Sequence, residues 1–237
     1  MRKVSVAKKQ LWVGLFLVLS ASLQAQEASA RITVFGAGSL LKGERNFLLF
    51  GEGFRTEYDT GGKAGLRATV DLSNKWALEG AYSFGSNTWH VTEELGTPTA
   101  EHRAFSIHQH RLTGSLLRFL NSSSDRVSFF VLVGGGLVRF SPTDGARRRA
   151  AHEFVNNPAP NIQADNKWSA HLGTGFEAKL AEHWGVRLEV EDHISPIPRF
   201  GLPKTNPGGG ADFYPVSGVI QDIEPSFGLV YRWGTVK

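Results

Sequence analysis

The sequence predicts an all-β fold, an eight-stranded antiparallel up-and-down β-barrel that spans a membrane. Segments after Arg31 alternate between apolar and polar residues with a period of two, as half-buried strands do. The connections between these segments alternate between short and long. The composition joins 27 Gly, 16 Phe and 6 Trp with no Cys, which is typical of β-barrels. The lack of Cys also excludes disulfides, thiolate metal centres and cysteine nucleophiles.

The amino-terminal segment predicts export. Residues 1–10 are basic and residues 11–19 (LWVGLFLVL) are apolar, which is the pattern of a secretory signal peptide read by the Sec pathway. Nine apolar residues extend about 14 Å as a helix, too short for a hydrocarbon core of about 30 Å. We predict a signal peptide over 1–25, with cleavage after Ala25 or, alternatively, Ala30. Four of the 26 basic residues precede Ala25, so 22 remain against 22 acidic residues, and nucleic acid is not an expected partner.

Eight segments have the strand pattern, and Gly, Asn, Asp, Ser and Pro clusters separate them. One further apolar stretch, NFLLFGEGF over 46–54, leaves ten strands as an alternative. The predicted strands are 31–41, 61–72, 75–85, 103–117, 126–140, 166–179, 183–194 and 220–233.

The predicted connections have a regular order. Short turns follow the second, fourth and sixth strands. Outer-membrane barrels combine short periplasmic turns with longer extracellular loops, so residues 26–237 are predicted to form one barrel with its long loops on the cell surface. The predicted surface loops are 42–60, 86–102, 141–165 and 195–219.

The two faces of the predicted strands differ in polarity, with one apolar and the other carrying charges and glycines. A soluble barrel needs an apolar interior, whereas a small membrane barrel fills its lumen with paired polar side chains. The predicted lumen network consists of Glu79, Glu177, Lys179, Arg187, Glu189, Glu191 and Arg232. A periplasmic aromatic girdle is predicted from Trp76, Trp168, Trp184 and Trp233.

The carboxyl-terminal strand carries a family resemblance. Its run FGLVYRW, with Phe227, Leu229, Tyr231 and Trp233 at alternate positions, resembles the terminal signal that the barrel-assembly machinery reads. WSAHLGTGFEAKL, AEHWGVRLEVEDHISP and EPSFGLVYRW together resemble the outer-membrane β-barrel domain family related to outer-membrane proteins A and X. The resemblance implies a monomer in the bacterial outer membrane, in contact with its lipid and with the assembly machinery during insertion. The chain departs from the family by continuing four residues past Trp233.

Two histidine patterns in the sequence could carry chemistry. His108 and His110 share a strand face and could ligate a metal ion with a third ligand, but lumen filling or pairing with carboxylates is the favoured interpretation. His193-Ile194-Ser195 is similar to the His-x-Ser arrangement of lipid A deacylases. The orienting carboxylate would be Glu191, about 6.6 Å away along the strand, which predicts no direct hydrogen bond. No catalytic residue, cofactor or metal site is therefore assigned.

The third predicted loop contains Arg147, Arg148 and Arg149, which could bind lipopolysaccharide phosphates. The sequence thus predicts a non-enzymatic barrel with a structural or surface-interaction role in adhesion or the envelope. The alternatives are a narrow porin-like channel and a lipid A-modifying enzyme.

Overall fold

The computed structural model describes residues 29–43, 45–49, 52–94, 101–153, 162–205 and 213–234. The predicted signal peptide lies outside these residues, so it stays a prediction. The described chain contains ten strands and one helix. These are β1 (Ala30–Lys42), β2 (Arg45–Leu49), β3 (Glu52–Tyr58), β4 (Gly61–Asp71), β5 (Trp76–Glu94), β6 (Glu101–Phe119), β7 (Val127–Pro142), α1 (Asp144–Glu153), β8 (Asp165–Lys179), β9 (Trp184–Pro196) and β10 (Val219–Trp233).

Eight strands close into a ring, which confirms the predicted eight-stranded antiparallel barrel. The strand order around the ring is β1, β4, β5, β6, β7, β8, β9, β10, and β10 pairs again with β1. Ala30 on β1, for example, lies opposite Val70 of β4 and Trp233 of β10. Short turns connect β4 to β5, β6 to β7 and β8 to β9 at one end of the ring, which we call the turn end. The opposite end carries the long connections and is called the loop end.

The strands β5 and β6 extend farther than the sequence predicts. Each has 19 residues, and their pairing continues to Glu93 and Glu101. Most of the predicted loop 86–102 is therefore strand. The extension is stabilised because Trp89 of β5 and Phe105 of β6 point inward and are almost fully buried above the ring.

The first surface connection forms a hairpin of β2 and β3, and β3 pairs with the upper half of β5. The apolar stretch 46–54 therefore supplies both arms of a hairpin that joins the edge of the wall. A ten-stranded ring is not formed.

The third surface connection contains helix α1, which the sequence analysis did not predict. Thr143 caps its amino end, since the Thr143 hydroxyl accepts the backbone N–H of Ala146 at 3.1 Å. Ala146 and Ala150, one turn apart, are buried below the helix. None of the described helices is long and apolar enough to span a membrane.

Candidate functional site

The outer face of the ring is apolar over a constant height. On β10, Phe227, Leu229, Tyr231 and Trp233 all point outward and are 40 to 55% exposed. The ten-residue step from Ile223 to Trp233 spans about 25 Å at a rise of about 3.3 Å and a tilt of about 40°, the height of the apolar band on membrane barrels. Leu66, Leu112, Val133, Leu137, Leu172 and Leu188 continue the band on other strands.

Three of the four tryptophans predicted for the girdle lie at the turn end. Trp76, Trp184 and Trp233 lie there with their rings partly exposed, and Trp184 packs edge-on against Tyr231 with 5.1 Å between ring centroids. The prediction for Trp168 is wrong. Strand β8 begins at the loop end, so Trp168, its fourth residue, lies at the opposite boundary of the apolar band.

The lumen at the turn end holds two arginines and two carboxylates. Arg31 contacts Asp71 and places Nη1 3.3 Å from Oε2 of Glu177. Arg232 contacts the same Glu177. Lys179, predicted in this network, instead lies partly exposed at the mouth and donates to a carbonyl of the β6–β7 turn.

The middle of the lumen is the most densely charged level. Arg187 donates from Nη1 to Oε2 of Glu79 at 2.6 Å and from Nε to Oε2 of Glu189 at 2.6 Å. Arg67 donates from Nη2 to Oε1 of Glu191 at 2.6 Å and lies 3.7 Å from Oε2 of Glu189. All of these side chains are buried. The inward orientation predicted for Glu79, Arg187, Glu189 and Glu191 agrees with this geometry.

The upper level of the lumen contains a compact four-membered cluster. Lys63 and Arg111 each contact both Asp222 and Glu224, with Arg111 Nη2 2.8 Å from Oδ2 of Asp222. The Ser39 hydroxyl also donates to Asp222, at 2.8 Å. Buried charges are tolerated only when paired in this way.

Seven further charged residues of the three lumen levels were not predicted from the sequence. The missed residues are Arg31, Lys63, Arg67, Asp71, Arg111, Asp222 and Glu224. The period-two pattern of the sequence contains the information that identifies such residues. Arg67, for example, lies between the outward-facing Leu66 and Ala68 and therefore faces the lumen.

A pair of histidines adjoins the middle level. His171 of β8 lies directly opposite His193 of β9, with 4.7 Å between ring centroids. Nε2 of His193 is 3.2 Å from Oε2 of Glu191, and Nε2 of His171 is 3.7 Å from the same oxygen. The Glu191 and His193 side chains thus lean together along one face of β9 and approach more closely than the backbone step of about 6.6 Å between them.

The His193–Ser195 pair is not arranged as a hydrolase dyad. Both side chains are about 97% buried and lie on the lumen face of β9. Nδ1 of His193 has no hydrogen-bond partner among the described residues, and its Nε2 is directed at the carboxylates of Glu191 and Glu224. A lipid substrate outside the barrel has no contact with this serine.

The other histidine pair lies on the outside of the barrel. His108 Nδ1 is 2.8 Å from the Ser86 hydroxyl, and His110 Nδ1 is 2.9 Å from the Tyr82 hydroxyl. The ring of Phe84 packs against both histidines. The interpretation of these histidines as lumen filling is wrong, because they face outward near the loop-end boundary of the apolar band.

A hydrophobic cluster, here called the cap, closes the loop end of the barrel. Trp89 lies at its centre, with 5.2, 4.8 and 5.6 Å between its ring centroid and those of Phe105, Phe200 and Tyr214. Strand extensions and surface connections both contribute to it. Its buried members include Leu41, Tyr58, Val91, Ile107, Val138, Phe140, Ala146, Ala150, Ile162, Ile197, Val216 and Ile220.

Polar contacts and one strained residue fix the cap. Thr56 accepts hydrogen bonds from Trp89 Nε1 at 2.6 Å and from the Tyr214 hydroxyl at 3.1 Å. Burial raises the pKa of Tyr214 to about 12 and that of Tyr58 well above its usual range, so both phenols are neutral at physiological pH. Phe200 adopts a left-handed φ of 53°, which costs about 1 to 2 kcal/mol and is maintained because its ring is fully buried.

Below the cap, the lumen is filled with side chains. A small cavity lies between Arg67, Arg111, Glu191, His193 and Glu224, with about 10 Å³ of space for the centre of a water molecule. That volume accommodates about one water. The charged levels and the cap thus occupy the barrel from the middle to the loop end.

The three consecutive arginines are spread around helix α1. Arg147 Nε donates to the Pro142 carbonyl at 3.3 Å, and Arg149 Nη1 donates to the Ala104 carbonyl at 2.9 Å. Arg148 is exposed. The helical turn of about 100° per residue separates the three guanidinium groups, so they do not form one compact patch.

Both the sequence and the fold are similar to those of known outer-membrane proteins. The sequence profile of the family described as outer membrane protein beta-barrel domain matches residues 13–206. No curated protein matches the sequence. Among solved structures, the chain is similar to the outer membrane protein OprG from Pseudomonas aeruginosa, with 14% identity over 88% of this chain and 97% of that chain and a TM-score of 0.55.

Two further structural similarities are weaker. Ail, the attachment invasion locus protein of Yersinia pestis, solved in complex with the heparin analogue sucrose octasulfate, is 12% identical over 88% of this chain and 100% of that chain, with a TM-score of 0.48. The outer membrane enzyme PagL is 11% identical over 86% of this chain and 99% of that chain, with a TM-score of 0.35. At these identities the similarity concerns the fold alone.

The fold, the apolar outer band and the profile match agree with one another. The match covers most of the chain, including β1 to β9. The turn end is thus the periplasmic end and the loop end the extracellular end. This chain belongs to the outer membrane protein β-barrel domain family and resides in the bacterial outer membrane.

Proposed function

We propose that this protein is a non-enzymatic, non-conducting barrel whose sealed extracellular end acts as a surface-interaction scaffold in adhesion or envelope organisation. The observation that carries the proposal is the cap. Its core draws on surface connections as well as strand extensions, with Phe200 and Tyr214 buried against Trp89. Such packing gives the extracellular end a fixed shape, which favours recognition over transport.

A channel needs a continuous water path through the lumen. Side chains fill the lumen at two heights along this path. Ions would have to pass both the cap and the Arg67–Arg187 level. We expect the refolded protein to produce no stepwise conductance in planar lipid bilayers. A heat-denatured aliquot of the same preparation is the control for contaminating porins. Discrete conductance steps that disappear on denaturation would contradict the proposal.

The enzyme alternative is disfavoured by the orientation of its candidate nucleophile. Ser195 faces the lumen, as do the carboxylates nearest His193. We expect no deacylated lipid A after incubation with the purified protein. A product that is lost in Ser195→Ala would establish the enzyme instead.

We further propose that the extracellular end of the barrel contacts lipopolysaccharide phosphates through the exposed Arg139 and Arg148. Arg139 is exposed, lies one outward step beyond Leu137, and pairs in register with His110. A guanidinium at this height is suited to phosphate oxygens.

The charge reversal Arg139→Glu is expected to lower the amount of lipopolysaccharide retained by the purified barrel by about fivefold, the effect of about 1 kcal/mol from one exposed ion pair. Quantitative lipid A analysis of the detergent-purified protein measures the amount of lipopolysaccharide that is retained. Arg126→Glu, in the exposed β6–β7 turn at the periplasmic end, is the matched control and should change nothing. Equal retention by all three proteins would contradict the contact.

A further inference from the structure

Among the described residues, one set of lumen side chains matches a metal site. His171, Glu191 and His193 are 94 to 97% buried, and one ligand atom from each lies within 4.8 Å of the other two. Cross-strand pairing produces this convergence, since His171 of β8 is directly opposite His193 of β9. Glu191 lies two residues before His193 on the same face of β9.

Two of the three ligand–ligand distances are close to those of a coordination tetrahedron, and all three lie within 4.8 Å. Metal–ligand bonds of about 2.0 to 2.1 Å place the ligand atoms of a tetrahedral zinc ion about 3.4 Å apart. Oε2 of Glu191 lies 3.2 Å from Nε2 of His193 and 3.7 Å from Nε2 of His171. Side-chain shifts that draw the two imidazoles toward each other beside Glu191 would bring all three atoms to bonding distance.

A glycine on the neighbouring strand leaves room for one of the ligands. A Cβ at Gly134 of β7 would lie 2.6 Å from Cε1 and 2.7 Å from Nε2 of His171. No other residue type fits beside this imidazole without displacing it. The adjacent small cavity, lined by Glu191, His193 and Glu224, has room for about one water molecule as a fourth ligand.

The charges of the middle level of the lumen, where Glu191 lies, are unbalanced. The upper level and the level at the turn end each pair two cations with two carboxylates. In the middle level Arg67 and Arg187 face three carboxylates, Glu79, Glu189 and Glu191. Among the described residues, one carboxylate of this level is thus in excess. Glu191 is the carboxylate in contact with both histidines.

We propose that His171, His193 and Glu191 bind one divalent transition-metal ion of the zinc class inside the barrel lumen. Two imidazoles and one carboxylate, with a water in the fourth position, are ligands that such ions prefer. The ion compensates the excess carboxylate, taking the net charge of the middle level from −1 to +1 with a neutral water ligand, and it crosslinks β8 to β9. The Ser115 hydroxyl, now 2.8 Å from Nε2 of His171, gives up this contact when the metal binds.

The test is to refold the full chain in detergent with Zn²⁺ or Co²⁺, remove free metal and measure bound metal by elemental analysis. We expect about one ion per folded chain and, with Co²⁺, the intense visible absorption of a four-coordinate site. The variant His193→Asn should bind at least about tenfold more weakly. The double variant His108→Asn/His110→Asn, which removes the outward-facing pair, should bind like the wild type.

The metal content of the folded wild-type protein tests the proposal even if His193→Asn does not fold. A folded wild-type barrel that retains no metal would overturn the proposal. Equal metal binding by wild type and a folded His193→Asn would also overturn it. Ser115→Ala removes only the competing hydroxyl, so it should bind metal as tightly as the wild type or more tightly, and weaker binding would count against the site.

Discussion

Replacing Arg187 with leucine is expected to destabilise the folded barrel by about 3 to 5 kcal/mol. Arg187 is 2% exposed and donates to both Glu79 and Glu189. Its removal leaves these carboxylates buried with fewer partners, and the cost of an uncompensated buried charge exceeds the gain from an added apolar side chain. Urea-induced unfolding in lipid vesicles, followed by the heat-dependent gel mobility of the barrel, measures the change.

Two variants separate the charge effect from a general effect of losing an arginine. Arg118→Leu removes an exposed arginine that lies over Trp76 at 5.3 Å, and it should change stability by no more than about 0.5 kcal/mol. Adding Glu79→Gln and Glu189→Gln to Arg187→Leu should restore more than half of the lost stability, because the stranded charges are then absent. Equal destabilisation by Arg187→Leu and Arg118→Leu would contradict the lumen network.

Leu188→Arg is expected to destabilise the barrel in a bilayer by about 2 to 4 kcal/mol, the cost of an arginine on the lipid face near the midplane. Leu188 is 43% exposed and lies between Phe176 and Phe227 on the neighbouring strands. An exposed leucine on a soluble protein would tolerate the same change within about 0.5 kcal/mol. The variant therefore reports whether this face meets lipid.

The control for depth is Val127→Arg, which changes an outward residue at the periplasmic start of β7. An arginine there can reach the interface, so the cost should fall to about 0 to 1 kcal/mol. Vesicle unfolding measurements compare the two variants directly. Equal costs at Leu188 and Val127 would contradict the placement of the bilayer.

Most of the ring could be predicted from period-two alternation because a membrane barrel has a sharp polarity difference between its faces. On β10 the apolar set from Phe227 to Trp233 alternates without interruption with inward residues such as Arg232. The cap could not be predicted in this way. Phe200 and Tyr214 come from connections without regular periodicity, so only tertiary packing brings them to Trp89.

The error about a strand face and the error about a barrel end have separate physical causes. Above the apolar band the pattern reverses: on β6 the inward Phe105 and Ile107 are apolar and the outward His108 is polar, whereas within the band Arg111 is inward and Leu112 outward. A single strand therefore carries apolar residues in both phases. Trp168 was placed at the wrong end because tryptophan occurs at both interfaces of membrane barrels.

The central claim is a barrel with charges inside and lipid outside, and a cysteine scan along β10 tests it most directly. The chain has no Cys, so a spin label can be introduced at single positions in the unfolded chain before folding into vesicles. We predict that accessibility to oxygen dissolved in the bilayer alternates, high at Phe227, Leu229 and Tyr231 and low at Ser226 and Val230. Uniform accessibility, or maxima at Ser226 and Val230, would contradict the account.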